Sequence, residues 1–154
     1  MNLPEDVAAV LTPLFEVLPL DVAMPELIPH GVNERAFGEA ERAVEALRGQ
    51  PLLHAGIWLY VDDLHRSHEV SQSISSPLGA YWHGIMHRRE GDFWNSKYWF
   101  RQAGSVPFHL AGYEPSRFVE ECESAKPHHP DHLVGLQRQE WAALFEFCAK
   151  ARAS

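Results

Sequence analysis

Apolar residues recur at helical spacing along most of the chain. After Asn33, the residues Phe37, Ala40, Val44 and Leu47 fall three and four apart, the stripe of a helix buried on one side. Asn33 is placed to cap that helix and Gly49 to end it, while Glu34, Glu39, Glu41 and Glu45 lie mostly off the stripe on a solvated face. Upstream, Pro4 opens a helix with Glu5 and Asp6 in its first turn, where carboxylates favour the helix dipole, and Pro13 is expected to break or kink it. Pro19, Pro25 and Pro29 make residues 19–32 an extended wrap over the core. Pro51 starts a third helix that Asp62-Asp63 closes, and a fourth runs from Leu64 to Ile74. Ser76-Pro77 begins a fifth helix that stops at Gly91, and Asp92 caps a sixth that ends at Gly104. Residues 105–113 read as a loop, and Glu114-Pro115 starts a short helix to about Ser124. Beyond the His-Pro-rich turn from Lys126 to Pro130, Asp131 is expected to cap a last helix burying Leu133, Leu136, Trp141, Leu144, Phe145 and Cys148. No segment alternates with β-branched enrichment, so a sheet is not expected. The pattern predicts an all-α fold, a compact bundle of about seven to eight helices built from helical hairpins. It forms a single domain over residues 1–154, centred on residues 51–104.

The central segment matches itself at an offset. Sliding residues 52–75 onto 81–104, a shift of 29, pairs His54 with His83, Ala55 with Gly84, Asp63 with Asp92, Leu64 with Phe93 and Ser67 with Ser96. These positions suit two similar hairpins, with a small residue where helices cross and an acid capping the second helix of each. Gly84, Gly91-Asp92-Phe93, Ser96, Phe100 and Ala103 also resemble a tetratricopeptide hairpin, which implies tetratricopeptide-like packing in the centre; the shift of 29 departs from that family's 34.

A longer stretch carries a closer likeness. Trp82-His-Gly-Ile-Met-His-Arg-Arg-Glu-Gly-Asp-Phe-Trp-Asn-Ser-Lys-Tyr-Trp-Phe-Arg101 resembles the signature block of a family of uncharacterised bacterial proteins of similar length. Asp62-Asp-Leu-His-Arg-Ser-His68 and Gln137-Arg-Gln-Glu-Trp-Ala-Ala-Leu-Phe145 are similar to the rest of that family. Trp94-Asn95-Ser96 departs from it, since members more often carry a small polar residue before the Asn and Ala after it. The resemblance points to the residues that matter and implies no particular activity.

Composition narrows the classes. With 21 acidic against 13 basic residues the formal net charge is −8, which disfavours broad contact with nucleic acid or an anionic membrane. The longest strongly apolar stretch, Pro51 to Val61, is too short to span a bilayer, and the acidic N-terminus lacks the basic region of a signal peptide. Two widely separated cysteines, Cys122 and Cys148, encode neither a disulfide framework nor a thiolate zinc site, and a cytoplasmic location is expected.

Candidate chemistry concentrates in residues 80–104, which hold three of the five Trp, a pair of His and four basic residues. His83 and His87 stack on one helix face, and His65 and His68, three apart, do the same on the preceding helix. If those helices are antiparallel neighbours the pairs converge, and three His with Asp63 or Glu90 suit Zn, Fe or Mn. The other reading of His83 and His87 is a core role, hydrogen-bonded to acids or carbonyls under the aromatic layer. Separately, Arg88, Arg89, Lys97 and Arg101 form a basic island beside Trp94 and Tyr98, suited to a phosphate or carboxylate ligand. Its alternative is intramolecular pairing with Glu90, Asp92, Asp62 and Asp63, and a carboxylate near Gln137, Glu140 and Trp141 is expected to reach Arg88 or Arg101 as a buried ion pair. No catalytic residue is assigned: there is no nucleophile elbow and no Gly-rich phosphate loop. The leading expectation is a helical module that binds a partner protein or small anionic ligand at this basic-aromatic surface. The alternative is a His-ligated metal-dependent enzyme, a hydrolase or oxygenase.

Overall fold

The computed structural model describes residues 1–152. Among these residues the chain is all-helical: α1 (Glu5–Val17), α2 (Glu34–Ala46), α3 (Pro51–Tyr60), α4 (Leu64–Ser71), α5 (Pro77–Glu90), α6 (Phe93–Ala103), α7 (Pro115–Ala125) and α8 (Asp131–Ala151). The expected caps form. Asn33, Asp63, Ser76 and Asp92 each accept from the backbone N–H three residues on, and the Glu114 carboxylate accepts from Ser116 and Arg117. Three details differ from expectation. Pro13 lies inside α1 without ending it, on an exposed face where water can reach the carbonyl its missing N–H leaves free. The fourth helix ends at Ser71, short of Ile74, in a turn. Asp131 is the first residue of α8, where it favours the dipole, and not its cap.

The shift of 29 is a real structural repeat. Ser67 Oγ donates to Ala55 O (2.9 Å), and 29 residues later Ser96 Oγ donates to Gly84 O (2.6 Å), so each hairpin is pinned by the same bond. The two turns also match. Asp63 N–H bonds Trp58 O while Asp92 N–H bonds His87 O, and Asp62 N–H bonds Leu59 O while Gly91 N–H bonds Arg88 O. Both turns need a left-handed residue; Gly91 supplies φ +85° without strain, and Asp62 adopts φ +62°. An Asp tolerates this conformation better than most residues, and here it places a carboxylate on Arg89.

α5 is the central helix, buried on every side from Gly79 to Arg89. It crosses α6 closely because Gly84 has no side chain: a Cβ there would lie 2.9 Å from the Phe100 ring. Gly56 on α3 plays the same part, since a Cβ would meet Phe145 at 2.8 Å and Trp82 at 2.9 Å. α8 lies against α3, with Trp141, Leu144 and Phe145 in the main core. The wrap of residues 19–32 is fastened through its carbonyls. Arg138 Nε donates to Ala23 O (2.7 Å) and Gln137 Nε2 to Met24 O (3.2 Å) and Glu26 O (3.1 Å). No helix among the described residues is long and apolar enough to cross a membrane.

Candidate functional site: a three-histidine cluster on α4 and α5

α3, α4, α5 and α6 follow one another as hairpins, so α4 runs beside α5. That brings three of the four candidate histidines together. His68 of α4 and His83 and His87 of α5 each offer a ring nitrogen, and the three atoms lie within 4.8 Å of one another. Ring centres stand 4.9 Å apart for His68–His83, 5.4 Å for His68–His87 and 4.8 Å for His83–His87. An imidazole bound at about 2.0–2.1 Å places its ring centre about 3 Å from the ion, so tetrahedral ligands stand roughly 5 Å apart. The observed spacings match that figure.

His65 does not join them. Although a step of three keeps it near His68 on the helix surface, it projects into solvent, 80% exposed, and pairs with Glu69 on its own helix (2.9 Å). Asp63 and Glu90, the expected carboxylate partners, also sit elsewhere. Asp63 caps α4 and pairs with Arg66 (2.9 Å), while Glu90 Oε1 lies 2.6 Å from Nδ1 of His87. With Nδ1 so engaged, Nε2 is the nitrogen His87 has left for an ion, and the carboxylate behind the ring orients it and raises its donor strength.

His83 is held differently. It is buried, and its ring lies flat on Trp99 of α6, 3.9 Å between centres and 11° from parallel. Neither of its nitrogens has a hydrogen bond among the described residues, and Nδ1 is wholly buried. Burial, helped by the neighbouring His87 and His68, pushes the His83 pKa down to about 4. Burial and His87 also lower His68. Neutral imidazoles are the form a metal requires. His87, Glu90 and Asp92 make a second close group. Its Asp92 carboxylate is already committed, accepting from Asn95 N (3.2 Å) and Asn95 Nδ2 (2.6 Å) at the cap of α6.

The basic island separates into two parts. Arg88 and Arg89 are not on the surface: both are fully buried. Arg88 makes a two-pronged ion pair with Glu140 (2.9 and 2.8 Å) and lies over the Phe118 ring at 4.3 Å. Burial favours its neutral form, but Glu140 more than offsets this and raises its pKa. Arg89 donates to Asp62 (2.6 Å), Leu59 O (2.9 Å) and Glu26 O (3.1 Å), tying turn, helix and wrap together. The carboxylate of α8 thus reaches Arg88, as expected. Both cations lie on the inner side because α5 has no outer side at that level, and neither is available to a ligand on the surface.

Lys97, Arg101, Trp94 and Tyr98 of α6 remain outside. Lys97 pairs with Glu120 (3.1 Å), Arg101 is exposed, and Trp94, 73% exposed, stacks on Tyr98 with ring centres 6.4 Å apart. The bond from His87 to Glu90 matches the expected core role, a histidine hydrogen-bonded to an acid, and the spacing of three carries that signal. Nothing local in the sequence marks Trp99 as the floor beneath His83. Comparison with protein-family models, with curated proteins and with solved structures finds no match.

Proposed function

We propose that this protein holds a divalent transition-metal ion between His68, His83 and His87 and carries out metal-dependent chemistry there. The observation that carries the reading is the convergence of three imidazoles from two helices at metal-ligand spacing, one of them buried with no hydrogen bond of its own. Buried polar groups are nearly always paired, so an unpaired His83 beside two further histidines calls for a partner. An all-imidazole set suits zinc or iron; manganese favours carboxylates, and those nearby are engaged elsewhere. The two buried free thiols, Cys122 and Cys148, support a reducing, cytoplasmic setting.

Protein purified without a histidine tag is expected to carry about one equivalent of zinc or iron by elemental analysis. His68→Ala, on a half-buried position of α4, is expected to lose that metal while staying folded. Metal-free wild-type protein that takes up no zinc at micromolar concentration overturns the proposal.

A second reading rests on the exposed Trp94. With Arg88 and Arg89 inside, a basic-aromatic surface for a partner protein or small anionic ligand reduces to Trp94, Tyr98, Lys97 and Arg101 on α6. Trp94→Ala is expected to leave stability within about 0.5 kcal/mol, as a surface substitution does. In a pull-down, loss of a partner that wild type retains supports this reading, and an unchanged partner set removes it.

A further inference from the structure

We infer that the ion held by His68, His83 and His87 keeps a fourth coordination position open and fills it with an exchangeable small donor, water or a small anion such as a carboxylate; this rests on the metal reading above. Structural zinc sites close all four positions with protein ligands, whereas reactive sites present three and leave one for water or substrate. Here the protein supplies three. Among the described residues no other His, Cys, Asp or Glu comes within reach of all three donor atoms.

The neighbouring carboxylates explain why no protein side chain takes the fourth place. Glu90 is bonded to His87 Nδ1, behind the ring, and Asp92 is locked into the cap of α6. Asp63 holds the cap of α4 and Arg66, and Glu69 turns outward to His65. Cys122 and Cys148 are buried in other parts of the core. Each of these carboxylates has its own partner, so none takes the fourth position without breaking a cap or pair. The side nearest solvent is that of α4: His83 and His87 are buried, but His68 is only partly so. Three neutral imidazoles also leave the ion its full double positive charge, which favours an anionic or strongly polarised oxygen donor.

Cobalt(II) in place of the native ion makes the fourth position visible, because its visible absorption follows coordination. Metal-free protein is loaded with cobalt chloride, freed of excess metal and titrated with sodium azide and then sodium acetate. The expected result is a saturable change in the visible bands at constant cobalt content, absent from His68→Ala carried through the same steps. One equivalent of retained cobalt whose spectrum ignores both anions overturns the open position while leaving the metal centre standing. No cobalt uptake overturns the metal centre, and this inference with it.

Discussion

Glu140→Ala is expected to destabilise the protein by about 3–5 kcal/mol, because it leaves the Arg88 guanidinium buried with no counter-charge. The pair is fully enclosed, with side chains 1% and 0% exposed, and both guanidinium prongs are used on the carboxylate. Tyr113 donates to the same carboxylate, and Tyr81 is hydrogen-bonded to Tyr113. Gln137 Oε1 accepts from Arg88 at 3.4 Å. Removing Glu140 therefore strands a cation, and the Tyr113 hydroxyl loses its acceptor. The pair itself need not be worth that amount, since its formation also required two charges to leave water. Replacing both partners, Arg88→Met with Glu140→Leu, is accordingly expected to recover most of the loss. Urea unfolding of the single and double variants measures both effects. A single-variant loss under about 1 kcal/mol contradicts the picture of a sealed ion pair.

Trp141→Ala is expected to cost about 3–5 kcal/mol, the range for removing a large buried aromatic. For a chain of this size that lowers the melting temperature by on the order of 10 °C. Trp141 stacks on Phe145 with ring centres 4.8 Å apart and 13° from parallel, and tilts against Tyr60 at 4.7 Å. Its Nε1 donates to the carbonyl of Gly56 at 2.8 Å. That bond and the bare Cα of Gly56 let α8 settle on α3, so the substitution opens a cavity and removes the indole bond to the Gly56 carbonyl. Trp141→Phe separates the two contributions. It keeps most of the packing and is expected to lose about 0.5–1.5 kcal/mol, the net worth of one hydrogen bond. Calorimetry reads both, and equal losses for Ala and Phe would show that the hydrogen bond, not packing, dominates.

The helix boundaries were legible because they are decided locally. Asn33, Asp63, Ser76, Asp92 and Glu114 each satisfy backbone N–H groups within their own first turn, whatever the rest of the chain does. The repeat was legible for a similar reason: Ser67 and Ser96 each lie 12 residues along the chain from the carbonyl they bond. The inward direction of Arg88 and Arg89 was legible only as one of two readings: intramolecular pairing named Asp62, and a buried ion pair from the Glu140 side of α8 was expected at Arg88 or Arg101. Two adjacent arginines at the end of a helix usually face water, and only the packing of α8 and the wrap on both sides of α5 turns them inward. Glu140 and Asp62 lie 52 and 27 residues away from them, beyond any local spacing rule. The histidines fall between these cases. Their spacing placed His83 and His87 together, but which of His65 and His68 faced them depended on the rotation of α4.

X-ray absorption at the zinc edge of zinc-loaded, tag-free protein tests the central claim most directly. Three imidazole ligands at about 2.0–2.1 Å with a fourth, oxygen donor are expected, and fewer imidazoles in His68→Ala. A zinc shell containing sulfur, or one unchanged when His68 is removed, would contradict that claim.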